Sequence, residues 1–175
     1  MKIKAITDAL GFETTLEHIQ IAQKAYQGWP LDLLKNTCQE LINELNRVNP
    51  DGGAAWSFVH SMKIAIALRE NYPSLKWVKS NLRNNLQARV KYKILDACVI
   101  GSEAKGTAKP DSDLDIAVII PPVRGKTALK VSENYHAKFT NEKWKPQWNG
   151  RIVDFQFFYP NDPELTNYNK INCTK

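Results

Sequence analysis

Apolar residues recur every three or four positions through the first ninety or so residues, and from Ile94 onward they run together. The first pattern is that of helices with one buried face, the second that of short strands covered on both faces. Thr14 or Thr15 is placed to cap a first helix reaching about Gln27, with Glu17 offering a capping box. Gly28-Trp29-Pro30 breaks it. Pro30 suits the first turn of a second helix, whose apolar face is Leu34, Cys38, Leu41, Leu45 and Val48. Asn49-Pro50-Asp51-Gly52-Gly53 is a strong stop. A third helix is expected from about Ala54 to Asn71, rich in Trp56, Phe58, Val59, Met62, Ile66 and Leu68, and Pro73 ends that region. Ser74 can cap a fourth helix with Leu75, Val78, Leu82, Leu86 and Val90 on one stripe.

Two apolar runs follow, Ile94 to Ile100 and Leu114 to Ile120, the second ended by Pro121-Pro122. A helical stretch from about Lys126 to Phe139 spaces Ala128, Val131, Tyr135 and Phe139 for one face. A loop from Trp144 to Gly150 leads into a third strand, Arg151 to Tyr159. There is no internal repeat.

Composition narrows the class. The chain is 43% hydrophobic and 24% charged over 175 residues, as soluble globular proteins are, and its formal charge of +6 favours an anionic partner. Cys38, Cys98 and Cys173 are odd in number and far apart, which argues against a disulfide framework and against a zinc site. Nothing resembling a secretory signal opens the chain and no apolar run is long enough to cross a bilayer, so no membrane is expected and the default is the reducing cytoplasm. No acidic residue occurs between Glu70 and Asp96, while Lys76, Lys79, Arg83, Arg89, Lys91 and Lys93 do. That stretch reads either as an anion-facing surface or as the solvated face of an ordinary helix.

The chemistry concentrates between Cys98 and Val118. A buried strand ends in Gly101-Ser102 at the start of a short helix, where the backbone admits close approach and the amides attract phosphate. Asp113 and Asp115 sit two apart at the start of the next strand, so period two puts both carboxylates on one face. Adjacent carboxylates repel unless a cation lies between them, and hard, oxygen-ligated Mg²⁺ is the natural candidate. A two-metal site needs a third carboxylate, and Asp154 interrupts the otherwise apolar strand Ile152 to Phe158. Asp111 belongs to the turn Lys109-Pro110-Asp111-Ser112, and Asp96 reads as a structural acid. His18, His60 and His136 have no Cys or Asp partner at ligand spacing, and Trp144 and Trp148 read as packed under a loop.

On these residues the chain resembles the DNA polymerase beta-type nucleotidyltransferase superfamily in its minimal bacterial form. That family's pattern is Gly-Ser, about ten residues, Asp-x-Asp and a later Asp; here ten residues, Glu103 to Ser112, separate the pairs. Ala104-Lys105-Gly106 and Ser112 also match, and the likeness covers about Ser74 to Tyr159. It implies an α+β fold, with a small mixed sheet flanked by helices in a nucleotidyltransferase domain at 74–175, preceded by the all-helical region at 1–73 that the periodicity predicts. It further implies that Gly101 and Ser102 hold the β- and γ-phosphates, with Lys105 either contacting phosphate or salt-bridged. Asp113 and Asp115 would bind two Mg²⁺ ions, for which Mn²⁺ can substitute. Asp154 would bind the catalytic ion and help activate an acceptor hydroxyl.

The donor implied is an NTP, with ATP usual among relatives. The acceptor is a protein side chain, as in the adenylylating antitoxins, an RNA end, or a small molecule such as an aminoglycoside. Minimal relatives are often paired with a helical ribonuclease toxin that carries Arg, four to six residues, then His. Arg47 and His60 are too far apart for that, so a toxin partner would be separately encoded. Little chain follows Tyr159, where relatives place helices for base and acceptor, so the N-terminal helices are expected to close over the site or form a homodimer interface. The competing expectation is a non-catalytic nucleotide sensor or partner-binding module that keeps the fold.

Overall fold

The structure, a computed structural model, describes residues 10–26, 29–48, 53–105, 107–109, 112–168 and 170–173. The chain divides into two compact units, Met1–Asn71 and Tyr72–Lys175. The first is helical: α1 (Leu16–Ala25), α2 (Leu31–Val48) and α3 (Ala54–Asn71), with α1 and α2 both packed on α3. Thr15 caps α1, but the box is closed by His18 and not Glu17, because His18 occupies the third helical position and its Nδ1 accepts from the Thr15 amide at 3.3 Å. Leu34, Cys38 and Leu45 are buried as the periodicity predicts, whereas Val48, on the last turn, is 56% exposed. Of the expected break Gly28-Trp29-Pro30 and stop Asn49–Gly53, Gly28 and residues 49–52 lie outside the described residues.

The second unit is α+β. Helix α4 (Leu75–Asn84), capped by Ser74, precedes β1 (Asp96–Val99), a short α5 (Gly101–Ala104), β2 (Leu114–Ile119), α6 (Ala128–His136), β3 (Gln147–Trp148), β4 (Arg151–Phe158) and α7 (Pro163–Asn167). The sheet order is β1-β2-β4-β3, with β2 and β4 parallel and the outer pairs antiparallel, so the sheet is mixed. Ile116, Val118, Phe155 and Phe157 are buried on one face, and Ala117, Ile119 and Phe158 pack with Ile100 and Leu165 on the other. Among the described residues, no helix is long and apolar enough to cross a membrane.

Three expectations need correction. The α4 stripe does not continue to Leu86, which is 93% exposed. Asn85 ends the helix, since its Oδ1 accepts from the amides of Gln87 and Ala88 at 2.9 and 3.0 Å; Val90 then returns to donate to the Leu82 carbonyl at 2.7 Å. The expected Trp144–Gly150 loop contains β3, because Asn149 and Gly150 both take positive φ (49° and 78°) and form a tight hairpin turn. Cys98 and Cys173 form a disulfide, contrary to the reading of unpaired cysteines. The tail reaches β1 through Val99 and Ile171, which exchange backbone hydrogen bonds at 2.8 and 3.0 Å, and this sets Cys173 beside Cys98. Thiol titration of denatured protein is expected to find one reactive group, Cys38, before reduction and three after it. Three before reduction would deny the bond.

Candidate active site

Where β1 ends, the chain turns through Gly101 at φ +67°, a conformation that side chains with a Cβ rarely adopt. The Ile100 amide donates to the Asp115 carbonyl at 3.0 Å, which fixes this turn against the start of β2. The approach is so close that a Cβ on Gly101 would lie 2.1 Å from Asp115 Oδ2. Ser102 follows, half-buried, and its carbonyl accepts from Thr107 and Ala108 at 2.9 and 3.1 Å. Lys105 is exposed and makes no ion pair among the described residues.

In the register of β2 and β4, Asp115 lies directly opposite Asp154. Asp113 precedes β2 and is exposed. Gln156, two residues along β4 and on the same face as Asp154, donates to Asp115 Oδ1 at 3.4 Å. Burial first, then the charges of Asp154 and Asp113, push the Asp115 carboxyl up to about 6. Asp154 moves the other way, held below the usual carboxylate range chiefly by its hydrogen bond with His136.

His136 is the contact that sequence spacing missed. Its Nε2 lies 3.1 Å from Asp154 Oδ1 and 3.0 Å from the Phe155 carbonyl, so a proton on that nitrogen serves both. The His136 pKa is raised, first by the hydrogen bond to Asp154. The partnership comes from the sheet edge. Beyond the two-residue β3, β4 has open backbone groups, and α6 satisfies them with side chains: Ser132 Oγ accepts from the Phe157 amide at 2.8 Å, and His136 takes the Phe155 carbonyl.

A second missed group fixes the approach to the Asp pair. Arg151, at the start of β4, donates to the carbonyls of Ser112 and Asp113 at 2.8 and 3.0 Å and ion-pairs with Glu103. Glu103 is only 2% exposed and also accepts from Tyr72 Oη at 2.9 Å. Burying that carboxylate is tolerable only because it is paired twice. Arg151→Ala is therefore expected to destabilise the unit by about 3 kcal/mol in urea titration, through the charge left unpaired on Glu103. A loss under 1 kcal/mol would show the pair to be dispensable.

The Lys109–Ser112 turn is hydrogen-bonded at both ends, with Ser112 N donating to Lys109 O at 3.1 Å and Lys109 N to Ser112 Oγ at 2.9 Å; Pro110, Asp111 and Gly106 lie outside the described residues. Asp96 is buried and accepts from the Ala97 amide at 2.8 Å, as a structural acid should. Trp148 packs edge-on against Trp77 at 5.2 Å, but Trp144 is 46% exposed, with Lys143 over its ring.

The donor set suits a hard divalent cation. All three acids offer oxygen, and Asp115, buried and beside two further acids, resists ionisation, which a bound cation would offset. Among the described residues, no three His, Cys, Asp or Glu side chains close on one point as a ready-made cage. Magnesium rarely uses such a cage, since it keeps waters and shares its shell with substrate phosphates.

A family model described as nucleotidyltransferase domain matches residues 79–174, more than half of the chain. A search of curated proteins and a search of solved structures each found no match.

Proposed function

This chain belongs to the nucleotidyltransferase domain family, and from that premise we propose that it transfers a nucleoside monophosphate, AMP from ATP in the first instance, to an acceptor hydroxyl. The observation that carries this reading is the pairing of Asp115 with Asp154 across β2 and β4, directly against the Gly101 turn. Gly101 and Ser102 receive the β- and γ-phosphates, and Lys105 is free to swing toward them. Asp113, Asp115 and Asp154 would hold two Mg²⁺ ions, or Mn²⁺ in their place. When bound, the ions neutralise triphosphate charge and favour the ionised acceptor oxygen.

Asp154, kept ionised by His136, takes the proton of the acceptor hydroxyl. The acceptor oxygen then bonds to the α-phosphorus. The bond from that phosphorus to the α,β-bridging oxygen breaks, and pyrophosphate leaves with the electron pair. Arg151 and Glu103 keep the Asp113 backbone in place throughout. The acceptor is a protein side chain, such as that of a separately encoded toxin, or an RNA end, in the cytoplasm.

The test is transfer of label from each of the four α-labelled NTPs, with Mg²⁺, to the protein and RNA fractions of a bacterial lysate. Label reaching one fraction, and lost in Asp113→Asn/Asp115→Asn protein, supports the reading and names the acceptor. A second reading, a nucleotide sensor without turnover, draws on the Asp154 carboxylate being already engaged by His136. NTP binding with no label in any fraction would favour it.

A further inference from the structure

On the sheet face opposite the carboxylates, a cleft of about 610 Å³ opens between α6, Phe157 and the segment after α4. Alternation along β4 puts Phe155 and Phe157 on this side, where Tyr135 packs at 6.2 and 5.3 Å, and Asp154 and Gln156 on the other. Four cations line the cleft: Arg89 and Lys91 from one wall, Lys126 before α6, and Lys138 after it. All four are exposed, and among the described residues no acid lines the cleft and none of the four makes an ion pair. The Tyr135 hydroxyl is buried with no hydrogen-bond partner among the described residues, and Tyr92 offers a half-buried ring. A cleft lined by charge of one sign concentrates the opposite charge within it.

We propose that this cleft binds the phosphodiester backbone of single-stranded RNA through Arg89, Lys91, Lys126 and Lys138. The cations come from three separate segments on long flexible stems and so can follow charge spread along a chain. Tyr135 and Phe157 form the buried floor of the cleft, and the half-buried Tyr92 ring at its wall is the one on which an unpaired base can stack. The cleft lies on the face opposite the carboxylates, so it would hold the body of an RNA acceptor and not its reacting end, and the inference rests on the proposed transfer only for the word acceptor.

Anisotropy of a labelled 20-nucleotide oligouridylate tests it, read without NTP or divalent cation, so its outcome is independent of whether transfer occurs. Three or four neutralised phosphates predict that affinity falls about 20- to 50-fold between 50 and 200 mM salt. Lys126→Glu/Lys138→Glu protein is expected to bind at least tenfold more weakly at 100 mM salt. Lys126→Gln/Lys138→Gln should bind at an intermediate level, and Lys24→Glu/Lys63→Glu, with the same net charge as the first, should change it less than twofold. Equal weakening by both Glu pairs, full displacement by equimolar ATP, or no anisotropy rise at 50 mM salt would each overturn the proposal.

Discussion

Asp115→Asn protein is expected to lose nucleotidyl transfer by at least ~10³-fold while melting at a higher temperature than the parent at pH 7.5. Both effects come from one carboxylate. Burial, Asp154 and Asp113 push Asp115 up to about 6, against 3.8 for an ordinary aspartate. The folded state therefore binds this proton more tightly than the unfolded chain does. The ionised form opposes folding by an amount absent below about pH 4, growing between 4 and 6, and fully present above. The difference is worth about 3 kcal/mol in isolation, and water around a half-buried carboxylate screens it to about 1–2 kcal/mol. Asparagine removes the charge and keeps the shape. Its melting advantage should thus vanish at pH 4, and saturating Mg²⁺ should raise the melting temperature of the parent and not of the variant. A variant less stable than the parent at pH 7.5 would deny the crowding of charge at this site.

Gly101→Ala is the second large effect. A non-glycine residue at φ +67° costs about 1–2 kcal/mol, and the new Cβ would lie 2.1 Å from Asp115 Oδ2 and 2.9 Å from its Cγ. Something must move, and what stands there is the Asp115 side chain. Transfer is expected to fall by ~10²-fold or more, because displacement of about 1 Å at a reacting centre has that consequence. Gly125→Ala separates the causes: Gly125 also has positive φ (+70°), but nothing lies within 4 Å of its added Cβ. That variant should lose comparable backbone stability in urea titration and keep its activity. Equal activity of the two variants would show that the Gly101 approach does not matter to the reaction.

Much of this was legible along the chain. The unbroken apolar runs gave β1 and β2 with their two buried faces, and the Gly-Ser and Asp-x-Asp spacing carried the family likeness. What the sequence could not supply was lateral order. That Asp154 lies opposite Asp115 depends on β4 pairing in parallel with β2, which no interval along the chain encodes. The reading of His136 as having no Asp partner fails for the same reason, since Asp154 is 18 residues away on a strand whose open edge α6 covers. Nothing along the chain marks Glu103 and Arg151 as partners, and only the fold buries one and turns the other onto the Asp113 loop. Two signals were present but unread: Asn149-Gly150 is a strong hairpin dipeptide, and Asn85 followed by Leu86-Gln87-Ala88 offers a side chain that ends a helix. The Cys98–Cys173 bond had no local signal, because the tail meets β1 only in three dimensions.

The most direct test compares ATP labelled at the α-phosphate with ATP labelled at the γ-phosphate, using the acceptor fraction that takes up label and both parent and Asp115→Asn protein. With the parent, α-label is expected to become acid-stable on the acceptor and γ-label to leave as pyrophosphate, and with the variant neither. Transfer of γ-label, or α-label transfer that survives Asp115→Asn, would contradict nucleotidyl transfer at this site.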